Sequence, residues 1–250
     1  MKVAIIGTGN VASVIARLIK SSDHSLIHIA GRTLLHAQAL ATQWQTSFST
    51  IDDMPQGSSA DIYIITVSDK AINECAVQLK VSDAIVLHTA GAVSKDILKN
   101  HAERYGILYP LQSLTKDMQA TKIPLLIDGN TNEVVASLRE FALSLSSDVH
   151  IANDEERLKL HTAAVVVSNF TNHLYALAET FCIKEKVEFD LLKPLILETA
   201  ARLKYNSPSA VQTGPASRKD LGTIALHLQL LNEHPQLKKI YEAFSKSIME

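Results

Sequence analysis

The sequence predicts an α/β domain with a doubly wound, mostly parallel sheet, followed by an all-helical domain. Short apolar runs rich in β-branched residues alternate with helical patterns as far as residue 151, which is typical of a parallel sheet with crossover helices. From residue 153 onward the pattern is helical only. We therefore place the predicted domain boundary between residues 152 and 153, giving domains 1–152 and 153–250.

Each element has its own signal. Unbroken apolar runs predict strands at residues 3–6, 25–30, 61–67, 84–87, 123–128 and 148–151, with a strand and loop at 106–113. Apolar residues at helical spacing predict helices at 11–20, 34–44, 71–79, 131–145, 154–183, 190–203, 217–232 and 235–250. Asn153 and Glu156 have capping-box spacing, which supports a helix start at residue 154, and Ser217 is suited to cap the helix that follows it.

Composition excludes several classes of protein. The formal net charge is −2, without the basic excess of a nucleic-acid-binding protein. Cys75 and Cys182 stand far apart and the histidines lack metal-ligand spacing, so we predict no disulfide framework and no metal site. The sequence shows no signal-peptide pattern and no apolar stretch long enough for a membrane span. We expect a cytoplasmic protein that acts on small molecules.

A glycine-rich turn follows the first predicted strand. Gly7, Gly9 and Ala12 match the G-x-G-x-x-G/A pattern of dinucleotide-binding folds. Gly7 permits the sharp turn, Gly9 leaves room for a pyrophosphate, and Ala12 lets helix and strand pack closely. The free N–H groups of the next helix favour an anion there. We interpret residues 1–152 as a Rossmann-type dinucleotide-binding domain; the alternative is a tight turn that binds nothing.

The residues after the second strand predict which dinucleotide binds. NAD sites usually place Asp or Glu there, but no acidic residue lies between His24 and His36. Arg32 and Thr33 stand there instead and suit a 2′-phosphate. We therefore predict NADP(H) as the cofactor; in the alternative, Arg32 is a solvated surface charge.

Two further segments end predicted parallel strands, where open α/β sheets bind ligands. Residues 67–69 and 89–91 are mostly small or polar, although Ser68 and Asp69 are equally suited to cap a helix. The predicted cofactor-binding residues are Gly7, Thr8, Gly9, Asn10, Val11, Arg32, Thr33, Val67, Ser68, Asp69, Thr89, Ala90 and Gly91.

Polar residues on the first helix of the second domain are candidates for the chemistry. His161, Ser168 and Asn172 fall within about 20° of one stripe at about 100° per residue, and Asn169 flanks that stripe. We predict that His161 and Asn169 are catalytic residues that orient a substrate and supply a proton; the alternative is a helix or subunit interface. His88, at the end of a strand, is a third candidate acid, or else a residue that fixes a loop.

Several stretches together resemble a family of predicted bacterial NADP-dependent oxidoreductases. These stretches are residues 7–12, 31–33, 88–92, 109–112, 161–170 and 213–216, with Arg218 and Asp220. The resemblance implies a Rossmann domain joined to a helical domain like that of 6-phosphogluconate dehydrogenase, NADP as the cofactor, and a homodimer through the helical domain. Pyrroline-carboxylate reductases and deazaflavin-dependent NADP reductases are more distantly similar. The Lys–Asn catalytic pair of β-hydroxyacid dehydrogenases does not carry over, because Ala163 follows Lys159 at that spacing.

The leading hypothesis is an NADP(H)-dependent oxidoreductase that transfers a hydride to or from a small polar carbonyl or imine. Two alternatives stay open, a non-catalytic NADP(H)-sensing protein and a deazaflavin-dependent NADP reductase. A Rossmann domain indicates the cofactor rather than the reaction, so the sequence leaves the substrate open.

Overall fold

The computed structural model describes residues 1–54, 60–81, 83–118 and 122–250. These residues form two compact units, 1–168 and 169–250. The first unit holds one eight-stranded sheet with its helices, and the second unit is helical. The predicted fold class, a doubly wound α/β domain followed by an all-α domain, is confirmed.

The strands of the sheet all belong to the first unit. They are β1 Lys2–Ile6, β2 Ser25–Gly31, β3 Ser47–Thr50, β4 Ile62–Ile65, β5 Ile85–His88, β6 Arg104–Pro110, β7 Leu125–Gly129 and β8 Val149–Ile151. Their spatial order is β3-β2-β1-β4-β5-β6-β7-β8, and β6–β7 is the antiparallel pair in an otherwise parallel sheet. The winding direction reverses between β1 and β4, so the carboxyl ends of these strands form the expected ligand crevice.

The helices follow the predicted order. They are α1 Asn10–Lys20, α2 Leu34–Trp44, α3 Ile72–Val77, α4 Asn132–Leu145, α5 Asp154–Ala164, α6 Thr171–Lys184, α7 Lys193–Arg202, α8 Leu221–Leu230 and α9 Pro235–Met249. A π-helical segment, Val165–Phe170, lies between α5 and α6. Among the described residues, no helix is both long enough and apolar enough to cross a membrane.

Strand β1 lies between two apolar layers. Val3 and Ile5 pack into the layer that contains α1 and α4, whereas Ala4 and Ile6 pack into the layer that contains α3. Burial on both faces explains why the strand is apolar without alternation. The first unit therefore holds the glycine turn after Ile6 on a rigid, central strand.

Three elements differ from the sequence prediction. Strand β3 is not predicted, because Phe48 is its one apolar residue and the strand pairs along one edge with β2. The helix predicted for 154–183 contains the π-helical segment. Helix α8 begins at residue 221 rather than 217, because the Asp220 side chain accepts the hydrogen bond from the Thr223 N–H at 3.0 Å, whereas the Ser217 hydroxyl donates to the Gly214 carbonyl at 2.9 Å.

Candidate functional site

Gly7 is fixed by its neighbours. Its φ is 128°, and its N–H donates to the Ala30 carbonyl at 2.8 Å. A Cβ at this position would lie 2.3 Å from the Thr66 Oγ1 and 2.8 Å from the Thr66 carbonyl oxygen. Only glycine accepts both this φ and this approach, so the turn out of β1 is set by contacts with β2 and with the end of β4.

Gly9 faces open space instead. A Cβ there would meet no described atom within 4 Å, so protein packing does not require a glycine. Gly9 is the N-cap of α1, and it has no side chain to satisfy the free N–H groups of the first turn. The first turn of α1 contains no acidic residue in the sequence. Open space beside uncapped N–H groups is the arrangement that favours an anion.

A cleft of about 380 Å³ opens beside this turn, at the carboxyl ends of β3, β2, β1 and β4. It brings together seven of the residues predicted to bind cofactor, Gly7, Thr8, Gly9, Arg32, Thr33, Val67 and Ser68. Arg32 is exposed, and its guanidinium makes no hydrogen bond or ion pair with any described residue. Thr33 is the N-cap of α2, but among the described residues its hydroxyl receives no capping hydrogen bond. Both side chains are therefore available to a ligand.

Ser68 also lines the cleft and precedes the 3-10 turn Asp69–Ala71. Its side chain accepts no capping hydrogen bond from the described backbone. The capping alternative for Ser68 is therefore not seen, and the hydroxyl is available at the end of β4.

Sequence reasoning missed part of this cleft. The further lining residues are His36, Ile51, Asp52, Thr66, Ala71, Glu74, Cys75 and Gln78. Asp52 and Glu74 add two carboxylates, and burial together with these charges raises the pKa of the Cys75 thiol. The recurrence of Ala71, Cys75 and Gln78 at helical spacing was a usable signal. Asp52 follows β3, which the sequence does not predict.

The other predicted cofactor residues lie outside the described lining of this cleft. They are Asn10, Val11, Asp69, Thr89, Ala90 and Gly91. The Asn10 side chain donates to the Leu114 carbonyl at 2.9 Å, and the Thr89 hydroxyl donates to the Ile65 carbonyl at 3.4 Å. Residues 89–91 follow β5, the neighbour of β4, so their predicted contact with the cofactor stays a prediction.

His161 on α5 meets the ends of β5 and β6. Its Nδ1 lies 2.9 Å from the Tyr109 hydroxyl, and a Cβ at Gly91 would lie 2.6 Å from that Nδ1. Burial raises the pKa of the Tyr109 hydroxyl, which therefore stays protonated and can donate to Nδ1. This contact holds the ring by Nδ1, and Nε2 is the ring nitrogen that it leaves free. Stretches 88–92, 109–112 and 161–170, which carry the family resemblance, therefore meet at His161.

Ser168 lies on the π-helical segment, and its hydroxyl is 2.7 Å from the Ser113 hydroxyl. The predicted polar stripe assumed unbroken α-helical spacing, which this segment interrupts. Asn169 is an exposed residue of the same segment and begins the second compact unit. Its catalytic role stays a prediction, although π-helical segments are frequent at functional sites.

His88 is fully buried beneath the loop that follows β5. Its Nδ1 accepts the Ala90 N–H at 3.2 Å, and its Nε2 lies 3.3 Å from the Ser94 carbonyl. Burial lowers the pKa of His88 to about 4, so the ring is neutral near pH 7. A neutral, fully bonded ring favours the alternative in which His88 fixes the loop.

Arg157 ties this loop to the start of α5 and was missed by sequence reasoning. It is 1% exposed, and its Nη2 donates to the Val93 carbonyl at 2.5 Å and to the Asp154 carboxylate at 2.8 Å. Asp154 also accepts from the Ser94 hydroxyl at 2.5 Å. The predicted capping box, one turn before Arg157, is confirmed, because the side chains of Asn153 and Glu156 each accept a hydrogen bond from the backbone N–H of the other. The position of His161, one turn after Arg157, is therefore fixed against the β5 loop.

Protein-family models account for both parts of the chain. Residues 123–248 match a domain of unknown function, DUF2520, and residues 1–97 match the shikimate/quinate 5-dehydrogenase family. The DUF2520 match spans half of the sequence, and the protein belongs to this family. The predicted family resemblance is confirmed.

Solved structures share the fold along the whole chain. A predicted NADP oxidoreductase from Bacteroides fragilis is 32% identical, with a TM-score of 0.91, covering 99% of this chain and 97% of its own. Protein TM1727 from Thermotoga maritima is 20% identical, with a TM-score of 0.73 and coverage of 98% and 96%. The 1-pyrroline-5-carboxylate reductase of Streptococcus pyogenes is 17% identical, with a TM-score of 0.69 and coverage of 100% and 98%. The last two are alike in fold alone. No curated protein matches the chain.

Proposed function

We propose that the protein is an NADP(H)-dependent oxidoreductase that transfers a hydride to or from a small polar carbonyl or imine. The observation that carries the proposal is the cleft at the strand ends, which joins the glycine turn to Arg32 and Thr33. The relatives support the same cofactor. The Bacteroides fragilis protein is named for NADP, and an imine reductase from Myxococcus stipitatus has a structure with NADP⁺ bound.

Each half of the cofactor site has a physical basis. The first-turn N–H groups of α1 and the open space at Gly9 bind the pyrophosphate. The Arg32 guanidinium and the Thr33 hydroxyl bind the 2′-phosphate, because a charged, multidentate donor matches phosphate geometry. The bound nicotinamide supplies or accepts the hydride.

His161 is the proposed proton donor or acceptor. Reduction of a carbonyl or imine requires a proton as well as a hydride, and imidazole exchanges protons near neutral pH. Tyr109 holds the imidazole by its Nδ1, which leaves Nε2 for the substrate. Pyrroline-carboxylate and imine reductases among the structural neighbours support a carbonyl or imine as the substrate class.

Paired titrations with NADPH and NADH test the cofactor assignment. We expect a clear preference for NADPH that Arg32→Ala strongly reduces, with little change in NADH affinity. Arg139→Ala is the matched control, because Arg139 is an exposed arginine on α4 outside the described cleft lining. Equal binding of both dinucleotides would contradict the role of Arg32, and binding of neither would contradict the proposed function.

Turnover with a panel of small keto and imino compounds tests the catalytic assignment. We expect His161→Ala to retain NADPH affinity and to lose activity with every compound that the wild-type protein turns over. Unchanged turnover would remove His161 from the proton-transfer role. Selective NADPH binding without turnover of any compound would favour the sensing function instead.

We also propose that the helical unit forms a homodimer. Only six residues of 169–250, all of which are described, are buried. Large apolar side chains remain exposed, including Leu191 at 74% and Leu197 at 71%. Many exposed large apolar side chains on one unit are typical of an interface, and a second copy is the partner always present. Light scattering should give twice the mass of one chain for the wild type and the mass of one chain for the double variant Leu191→Glu/Leu197→Glu. The control Gln236→Glu, which adds a charge at an exposed polar residue, should keep the mass of the wild type. A monomeric wild type would contradict the dimer.

A further inference from the structure

A β-turn in the loop after β6 lies against the glycine turn. Lys116 and Asp117 occupy its two central positions, and a hydrogen bond of 3.2 Å from the Met118 N–H to the Thr115 carbonyl closes it. We call residues 114–118 the strap. Lys116 and Asp117 line a second cleft of about 470 Å³, together with the glycine turn and residues of α2.

Helix α1 holds the strap in place. The Asn10 side chain donates to the Leu114 carbonyl at 2.9 Å, and the Arg17 Nη2 donates to the Lys116 carbonyl at 2.6 Å. The Arg17 Nη1 donates to the Met118 carbonyl. Because all three hydrogen bonds originate on α1, the strap is fixed relative to the helix whose N-terminus faces the glycine turn.

The second cleft adjoins the cofactor cleft. Thr8, Gly9 and His36 line both. Arg32 lines the first cleft, and Lys116 lines the second. The Lys116 ammonium makes no hydrogen bond or ion pair with any residue in the described part of the chain, so its charge is available to a ligand in the second cleft.

We propose that Lys116 is a second cation for the 2′-phosphate of NADP(H), and that the strap thereby contributes to discrimination against NADH. The inference rests on the proposed function. An ammonium on a flexible stem binds phosphate as a point charge, whereas the planar guanidinium of Arg32 binds it through paired hydrogen bonds. Asn10 and Arg17 are positioning residues that act through the strap carbonyls. Asp117 lines the same cleft with the opposite charge.

Calorimetric titrations with NADPH, NADH, 2′,5′-ADP and 5′-AMP test the proposal. We expect Lys116→Gln to weaken NADPH and 2′,5′-ADP by about tenfold, the usual loss for one charge-assisted hydrogen bond, and to leave NADH and 5′-AMP nearly unchanged. Lys116→Arg should retain the preference for NADPH, and Asp117→Asn should strengthen it. Lys99→Gln is the matched control, since Lys99 is exposed and outside the described lining of both clefts.

Equal weakening of NADPH and NADH by Lys116→Gln would assign Lys116 to the pyrophosphate and overturn its role at the 2′-phosphate. An unchanged NADPH affinity of Lys116→Gln would overturn the inference. If the wild-type protein still preferred NADPH over NADH, the proposed function would stand. A wild-type protein that binds no dinucleotide would contradict both. Arg17→Ala should lower selectivity for NADPH without altering NADH affinity; parallel loss of both would indicate a structural role only.

Discussion

Alanine substitutions at Gly7 and Gly9 should separate folding from cofactor binding within one turn. Gly9→Ala adds a Cβ that meets no described atom within 4 Å, at a φ of −83° that alanine accepts. Lower entropy of the unfolded chain stabilises such a variant by about 0.4–1 kcal/mol, whereas alanine is a poorer N-cap than glycine by roughly 1 kcal/mol. The two effects nearly cancel, so the free energy of unfolding should change by less than about 1 kcal/mol.

Gly7→Ala is the contrasting variant. A φ of 128° costs a non-glycine residue about 1–3 kcal/mol. A Cβ placed 2.3 Å from the Thr66 Oγ1 forces a shift that costs a further 1–3 kcal/mol or so, as overpacking typically does. The predicted loss for Gly7→Ala is therefore roughly 2–6 kcal/mol.

Urea unfolding and NADPH titration measure the two effects separately. Gly9→Ala should unfold like the wild type but bind NADPH at least about tenfold more weakly, because the methyl group occupies the space through which the pyrophosphate approaches. Gly7→Ala should show a lower urea midpoint. A Gly9→Ala protein with wild-type NADPH affinity would refute the interpretation that the open space beside Gly9 admits the pyrophosphate. A Gly9→Ala protein as unstable as Gly7→Ala would refute the distinction between the two glycines.

Three further predictions concern the loops around His161. The pKa of His88 is about 4 in the folded protein, below its ordinary value of 6.5, so the unfolded chain binds the extra proton and the free energy of unfolding falls by up to about 3 kcal/mol as the pH drops from 6.5 to 4. Urea unfolding at pH 7 and pH 5 should show a smaller pH dependence of this free energy for His88→Asn than for the wild type, and equal pH dependence would contradict the prediction. Asn153→Ala should destabilise the protein by about 1 kcal/mol through loss of the capping box, measured by the same unfolding assay, and a neutral effect would show that the cap is dispensable. A double-mutant cycle of Tyr109→Phe and His161→Ala, measured as the free energy of unfolding, should give a coupling energy of about 0.5–1.5 kcal/mol for their hydrogen bond. Additive effects of the two substitutions would contradict that contact.

The sequence pattern predicted those elements whose structure is determined by residues that are neighbours in the chain. Strand β1, the glycine turn and α1 are contiguous, and burial of β1 on both faces makes its pattern unambiguous. Arg32 and Thr33 could be placed because they directly follow a predicted strand and therefore share its edge of the sheet with Gly7. His161 was singled out on a different basis, as a polar residue on a predicted helix, and its contact with Tyr109 was not predicted.

The remaining features depend on contacts between distant parts of the chain. Arg157 resembles a surface residue of an amphipathic helix in the sequence, and only the loop after β5 buries it. The strap has no periodic pattern, and its position depends on Arg17. The π-helical segment 165–170 has the composition of an ordinary helix and gives no separate signal.

The hydrogen bonds that hold the strap have a consequence for the order in which the cofactor site is assembled. Asn10 and Leu114 are 104 residues apart, and Arg17 and Lys116 are 99 apart, so these contacts close long loops. Such contacts form after local ones, because the entropy of loop closure is lost before they are made. During synthesis, the β1–α1 turn and Arg32 emerge long before the strap. The nascent chain therefore acquires the glycine turn, to which we assign the pyrophosphate, before the strap, and the discrimination that we assign to Lys116 awaits completion of β6.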